Sequence, residues 1–461
     1  MDNRSDSIFC KLAALSLLLA PVPLLLSGCG QQRDPAQADT WRADDLQQLV
    51  QLIDSAAAEG LNPADYHDAA LRDAVQSHRM PAEVTAMADE AALSLAEDFA
   101  QGRVKDRARF DWSIESPKVP RDLLGTQLRQ ARANGQLAQW LTGLLPVSPQ
   151  YQALKAMLAQ LAPADPRRAS VLANLERWRW MPREPAPERM LRINVPAQRV
   201  DLIDHGAVRA SFAAVVGAPD TPTPALAARA NAIIVNPWWN VPASILAKGE
   251  LREGDSADRK GFVFERDASG TLRAKQKPGE ANSLGRLKIQ MPNPHAIYLH
   301  DTPAKGLFGA IDRARSHGCI RVQNIESLAE TLVGNPQPIV DALAQMDTRS
   351  IALAQRWPVR IVYFTLDFDT GGRLTAYPDI YQRDALMVMA LQGKPLPPPP
   401  PPPPPPAEIA PSSGDPDWAP ATTTGAEPID YPAESSAHGA PAAEVASDAA
   451  QTDDVDQSVT E

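Results

Sequence analysis

The hydrophobic period of this chain changes once, near residue 190, and that change limits the folds open to it. From residue 41 to about 180 the sequence is rich in Ala and Leu. Its apolar residues recur at helical spacing, as Leu46, Leu49, Val50 and Ile53 and again as Leu154, Met157, Leu158 and Leu161. Each set falls on one face of a helix, with Asn62-Pro63 and the stretch from Pro146 to Pro149 as breaks. Beyond residue 190 the period drops to two, in Leu191, Ile193 and Val195, in Val208, Ala210 and Phe212, in Leu287, Ile289 and Met291, and in Ile297 and Leu299. That alternation predicts half-buried strands. Val215-Val216-Gly217 closes a strand before Pro219, Ile325, Leu328 and Leu332 predict a helix starting at Asn324, and Ile361 to Leu366 reads as a late apolar strand. Helices first and strands after predict an α+β chain, with a helical domain over 41–185 and a β-rich domain over 188–394. Trp178 and Trp180 read as packing residues of the helical half.

The two ends are of different character. Arg4 and Lys11 flank an apolar run from Leu12 to Leu26, which is too short and too interrupted by Pro21 and Pro23 for a membrane-spanning helix. Residues 1–28 therefore read as a signal peptide. The run ends in Leu26-Ser27-Gly28-Cys29, which resembles a bacterial lipobox; the resemblance implies lipidation of Cys29 and a membrane anchor. Gly30, where an Asp would favour retention at the inner membrane, implies the periplasmic face of a Gram-negative outer membrane. Residues 29–40 are a polar linker. Residues 395–461 hold 17 of the 45 prolines, ten of them consecutive over 397–406, and 12 Asp and Glu with no Lys or Arg. This composition predicts a stiff rod followed by a disordered acidic tail. The net charge of −11 therefore resides in the tail. The body carries 43 Lys and Arg against 42 Asp and Glu, which leaves no electrostatic footprint for nucleic acid.

Of three cysteines, Cys10 lies in the signal segment and Cys29 at its end, so Cys319 is the single thiol of the folded body and no disulfide framework is expected. Around it the chain reads Ile297-Tyr298-Leu299-His300-Asp301 and then Ser316-His317-Gly318-Cys319-Ile320-Arg321. Strand alternation puts Tyr298 and His300 on one face and Ile297 and Leu299 on the other. A thiol becomes a strong nucleophile as its thiolate, and a neighbouring imidazole can take the proton and hold the ion pair. Gly318 permits close backbone approach and can aim amides at an oxyanion, and the Ser316 hydroxyl can orient an imidazole. A lone buried Cys is usually inert. Here the body's only thiol, two of its six histidines and a Gly share one short segment, which points to acyl transfer by a Cys–His pair.

His-x15-Ser-His-Gly-Cys-Ile-Arg resembles the signature of the YkuD-type L,D-transpeptidases. Asn194 to Pro196, Val215 to Pro219, Asn236 to Pro242, Asn282 to Arg286, Pro292-Asn293-Pro294 and Pro378 to Tyr381 resemble the long YcbB-like branch. Gly60 to Tyr66 resembles that branch's helical scaffold domain. The resemblance implies Cys319 as nucleophile and His300 as general acid/base. It implies Ser316, His317 and Gly318 as shapers of the thiolate site and oxyanion hole, and Arg321 as a loop support or a partner for a substrate carboxylate. It implies peptidoglycan stem peptides as substrate, formation of 3→3 cross-links through a thioester, and no metal or cofactor. A hydrolase on the same scaffold and a non-catalytic, lipid-anchored wall-binding protein are the alternatives.

The branch usually carries a separate peptidoglycan-binding module, and none is evident between Tyr151 and Arg192. Residues 241–285 form a charged insertion that the resemblance assigns as a capping subdomain over the active site, and its composition suits a mobile surface lid.

Overall fold

The computed structural model describes residues 41–398 apart from 79–81, 184, 248, 250, 252–259 and 268–269. The expected signal peptide, Cys29, the linker over 29–40 and the tail beyond residue 398 lie outside the described residues.

The helical period of the first half forms α1 (Ala43–Ser55), α2 (Asp68–Ser77) and α3 (Ala82–Gln101). After the short strand β1 (Trp112–Ser113) come α4 (Arg121–Ala133), α5 (Leu137–Gly143), α6 (Pro149–Gln160) and α7 (Arg167–Trp180). The face of α1 read from the sequence is the one it buries: Leu46, Leu49 and Ile53 have no exposed surface. Each such side chain contributes roughly 1.5–3 kcal/mol relative to exposure. At the start of α6, the Ser148 hydroxyl accepts from the Tyr151 N–H at 3.3 Å and Pro149 occupies the first turn, where its missing N–H costs nothing. A buried polar network ties the helices together. Glu176 and Arg179, both fully buried, pair at 2.7 Å. Glu176 also accepts from the Trp180 indole at 3.0 Å and the Val104 N–H at 2.7 Å, and Arg179 donates to the Glu59 carbonyl at 2.8 Å.

The second half follows as β2 (Met190–Asn194), β3 (Arg199–Asp204), β4 (Ala207–Gly217), β5 (Ala225–Val235), β6 (Trp239–Asn240), α8 (Ala243–Ala247), β7 (Phe262–Arg266), β8 (Leu272–Gln276), β9 (Leu287–Gln290), β10 (Leu299–His300), β11 (Ala314–Ser316) and β12 (Ile320–Val322). It ends with α9 (Ile325–Val333), α10 (Gln337–Gln345), β13 (Arg349–Val362), β14 (Leu366–Phe368), β15 (Leu374–Ala376) and α11 (Arg383–Leu391). The main sheet runs β5-β13-β2-β3-β4-β12-β10-β9, and β9 pairs back onto β5, so it closes on itself. Its enclosed core is built from the period-two residues, among them Leu191, Ile193, Ile233, Ile289, Leu299 and Ile320, together with Ile325 and Leu328 of α9.

The two halves share structure. Trp112 and Ser113 pair in parallel with Ala225 and Leu226 of β5, so the helical half supplies a strand to the sheet. Phe364, Met387 and Leu391 join the core of α1 to α5, and Leu396 packs against it. Trp180 is fully buried and Trp178 stacks on Phe364 at 4.7 Å, the packing role expected of both.

One expected strand is displaced. The apolar run at Ile361 to Leu366 is not one strand: β13 begins at Arg349 and ends at Val362. The Asn194 side chain then takes over, accepting from the Phe364 N–H and donating to the Phe364 carbonyl, both at 3.0 Å, and so turns the chain off the ladder. The charged insertion supplies β7 and β8, which with β6 just before it form a small sheet, β6-β8-β7, over a core of Val241, Ile245 and Ala274. Among the described residues no helix is long and apolar enough to cross a membrane.

Candidate active site

Strand register assembles the site. Lys288 of β9, His300 of β10 and Arg321 of β12 are paired in one row across three neighbouring strands. The next row toward the core, Ile289, Leu299 and Ile320, faces the other way and is buried. One residue further along, the same register sets Tyr298 beside Cys319 on the face of His300, as alternation requires. The Tyr298 hydroxyl makes polar contacts with the Cys319 thiol on one side and the Trp239 indole on the other. The Tyr298 ring meets the His300 ring edge-on, with centroids 5.6 Å apart, and the Lys288 ammonium lies 4.9 Å from the Tyr298 centroid. Through Trp239, the strand β6 just before the insertion reaches the Cys319 thiol in two contacts.

Two turns aim the thiol. In the first, Asn293 closes its own loop: its side chain accepts from the N–H groups of His295 and Ile297 and donates to the carbonyls of Met291 and Ile297. Ala296 is thereby held at φ +51°, and its carbonyl faces the Cys319 sulfur at 3.8 Å. The same loop touches the helical half, with His295 Nε2 2.9 Å from Ser113 Oγ. In the second turn, Ser316 donates to the Cys319 carbonyl at 2.6 Å and accepts from the Gly318 N–H at 3.2 Å. Gly318 sits at φ +105°, a conformation that disfavours any side chain.

A second layer holds this turn in place. Thr223 donates to the Gly318 carbonyl at 2.7 Å and accepts from the Gly217 N–H at 2.9 Å. Tyr381 donates to the Gly217 carbonyl at 2.7 Å and accepts from the Thr223 N–H at 3.1 Å. On the strand side, Asp301 accepts from the Arg286 N–H at 3.0 Å and pairs with Lys305. Gly285, at φ +61°, lacks the Cβ that would collide with the Asp301 carboxylate.

The electrostatics set the resting protonation state. Burial, reinforced by Arg321 and Lys288, pushes the His300 imidazole down to about 3, against the pull of Asp301. Burial pushes the Cys319 thiol up, although Tyr298, Lys288 and Arg321 act the other way. Burial also lowers Arg321 and raises Tyr298. Burial therefore favours the neutral form of both the thiol and the imidazole, while the two cations oppose it at the thiol and add to it at the imidazole. His300 is 5% exposed and its Nδ1 has no hydrogen-bond partner.

Of the residues singled out in the sequence, the structure brings together Cys319, His300, Gly318, Ser316 and Arg321. His317 is exposed on the turn. Ser316 does not orient an imidazole, since its hydroxyl is committed to the backbone of its own turn. That turn also engages the Gly318 N–H, which donates to the Ser316 hydroxyl. Sequence reasoning did not assign Tyr298, Lys288, Trp239 or Thr223. The alternation already placed Tyr298 on the His300 face, and Lys288 was findable only through the register of β9. Among the described residues no three His, Cys, Asp or Glu side chains converge as a metal-binding set.

Residues 188–343 match the YkuD family, the L,D-transpeptidase catalytic domain, and residues 37–158 match the family described as the scaffold domain. The chain therefore combines a YkuD L,D-transpeptidase catalytic domain with a helical scaffold domain, the YcbB-like architecture. A candidate L,D-transpeptidase of Haemophilus influenzae is 28% identical over 222 residues, 43% of this chain and 45% of that protein. The chain thus aligns with less than half the length of this curated relative. Among solved structures, an L,D-transpeptidase from Mycobacterium smegmatis is 16% identical with a TM-score of 0.21, covering 38% of this chain and 58% of its own. The catalytic domain of the Enterococcus faecium L,D-transpeptidase is 15% identical with a TM-score of 0.17, covering 39% of this chain and all of its own. Superpositions this partial carry no argument about the site.

Proposed function

We propose that this chain is a peptidoglycan L,D-transpeptidase that forms 3→3 cross-links through a thioester on Cys319. The observation that supports this most is the Tyr298–Cys319 contact two residues along the strand from His300 and on the same face, inside the matched catalytic domain. His300 takes the thiol proton as the sulfur attacks the carbonyl of the third residue of a donor tetrapeptide, a meso-diaminopimelate. The tetrahedral intermediate expels the terminal D-Ala, whose amine receives that proton, and a thioester remains. The side-chain amine of an acceptor diaminopimelate then attacks the thioester and gives its proton to His300. The new amide forms and the thiol is regenerated.

Lipidation at Cys29 would hold the enzyme at the periplasmic face of the outer membrane. Roughly ten residues of linker would then give about 15–35 Å of reach toward the wall. The test is muropeptide analysis of isolated sacculi treated with wild-type and Cys319→Ala protein. Dimers linked 3→3 should rise with the wild type only. Tripeptides without dimers would identify water as the acceptor and the enzyme as a hydrolase, and equal effects of both proteins would identify a non-catalytic wall binder.

A further inference from the structure

The helical half meets the main sheet at β1, and the contacts run on from there to the Cys319 turn. Trp112 is buried against Trp180 and Phe364, with ring centroids 5.2 and 6.4 Å away, which anchors the segment in the helical core. The residues on either side of it reach the supports of Cys319. Ser113 Oγ lies 2.9 Å from His295 Nε2. The His295 N–H donates to the Asn293 side chain, and the next residue, Ala296, turns its carbonyl to the Cys319 sulfur at 3.8 Å. Asp111 makes two contacts. Its carbonyl accepts from the N–H of Ala225, two residues after Thr223, at 2.9 Å. Its carboxylate pairs with the buried Arg383, whose guanidinium lies 4.7 Å from the Tyr381 ring centroid. Tyr381 in turn holds Gly217 and Thr223, and Thr223 holds Gly318. Asp111 does this at φ +48°, a sparsely populated conformation that persists only where the surroundings enforce it.

We propose that Asp111 and Ser113 are positioning residues for acyl transfer, through which the helical half holds both turns that aim the Cys319 thiol. The inference rests on the reading of Cys319 as the acylated group. Each residue acts through others. Ser113 acts through His295 on the Ala296 carbonyl, which accepts from the thiol itself. Asp111 acts through Arg383, Tyr381 and Thr223 on the Gly318 carbonyl. That carbonyl shares a peptide plane with the Cys319 N–H, so fixing one fixes the direction of the other. One route thus sets the sulfur and the other sets the backbone that carries it. A misplacement of about 1 Å far from the chemistry can cost about a hundredfold in rate. Contacts at this remove therefore govern the rate of the chemical step more than the binding of the donor.

Single-turnover acylation of the full-length protein by a donor tetrapeptide, followed by mass spectrometry, tests both routes. Ser113→Ala should slow acylation about tenfold at saturating donor, the cost of a displacement well under 1 Å. The donor concentration at half-maximal rate and the melting temperature should stay nearly unchanged, and Ser113→Thr, which keeps the hydroxyl, should restore the rate. In a His295→Ala background Ser113→Ala should cost nothing further, because the contact is already gone. Asp111→Asn should slow acylation to a similar degree, and its effect should shrink in a Thr223→Val background. Where Asp111→Asn does not fold, Asp111→Glu, which keeps the charge and shifts it by one methylene, reads the same route. Hydrogen exchange reads the first route without any substrate: the amides of His295, Ala296 and Ile297 should exchange about tenfold faster in Ser113→Ala and return to wild-type rates in Ser113→Thr. A wild-type protein that forms no thioester would overturn the acyl-transfer reading, while the exchange data still decide whether Ser113 holds the loop. Wild-type acylation and exchange in Ser113→Ala, or full additivity in both double variants, would overturn the positioning role.

Discussion

The Thr223 hydroxyl donates to the carbonyl of Gly318, one residue before Cys319, at 2.7 Å. It also accepts from the Gly217 N–H, so one side chain fixes the backbone beneath the thiol to the end of β4. Thr223→Val keeps the shape and leaves both buried backbone groups unpaired. The expected cost is about 1–3 kcal/mol of stability, with a larger proportional loss in the rate of Cys319 acylation. Thermal melts and acylation kinetics on the same preparation check this. A variant as active as wild type would show that the turn does not need this support.

The protonation states predict an unusual pH profile. An ordinary imidazole titrates near 6.5, whereas His300 in the folded chain is held near 3. Between those values the unfolded state binds more protons than the folded one. The stability contributed by neutral His300 is therefore fully present above about pH 6.5 and is lost as pH falls toward 3. The free-enzyme kcat/KM for acylation should likewise keep its acid limb well below 6.5. Alkylation of Cys319 by iodoacetamide should be slow at neutral pH and accelerate only above the ordinary thiol range, since burial raises that group. Rapid alkylation at pH 6 would indicate a resting thiolate.

Glu176 and Arg179 form a fully buried pair inside the helical half. Glu176→Ala strands the Arg179 guanidinium and should destabilise the fold by about 3–5 kcal/mol. The double replacement by Met at both positions should recover only part of that loss, because it removes the buried charge but leaves the Val104 N–H and the Trp180 indole unpaired. Chemical denaturation of the wild type and the two variants measures it.

The insertion has a core of its own, and its two ends are close, since the Asn282 side chain donates to the Pro237 carbonyl at 3.0 Å. Replacing residues 241–281 by a short Gly-Ser bridge should preserve a cooperative melt and weaken acylation. Trp239→Phe, which removes the indole N–H beside Tyr298, should weaken acylation to a smaller degree. Global unfolding of the deletion variant would show that the insertion belongs to the main core.

What the sequence disclosed and what it concealed follow from the range of each signal. The change of period at residue 190 and the Ser316 to Cys319 segment are local, so both could be read directly. β1 is only two residues long, too short for any period, and exists because Trp112 packs edge-on against Trp180 at 5.2 Å and against Phe364 at 6.4 Å. Thr223, Tyr381 and Lys288 act through partners roughly 10 to 165 residues away, by way of strand register and backbone carbonyls that carry no sequence mark. The break of the late strand at Val362 depends on Asn194, far upstream.

The ends provide an independent prediction. Cys29→Ser should release the protein from membranes without inactivating it, as fractionation followed by an acylation assay would show. Truncation belongs after Pro398 and not at the start of the Pro-rich segment, because Leu396 packs against the helical core. That truncated protein should act on sacculi like the full chain.

The most direct test of Cys319 catalysis is the mass of the protein after brief exposure to a donor tetrapeptide. Wild-type protein should gain one tripeptide acyl group, located at Cys319 by peptide mapping and released by hydroxylamine as a thioester, with free D-Ala appearing in equal amount. Cys319→Ala protein should gain nothing. An adduct at any other residue, or D-Ala release undiminished in Cys319→Ala, would contradict acyl transfer through this thiol.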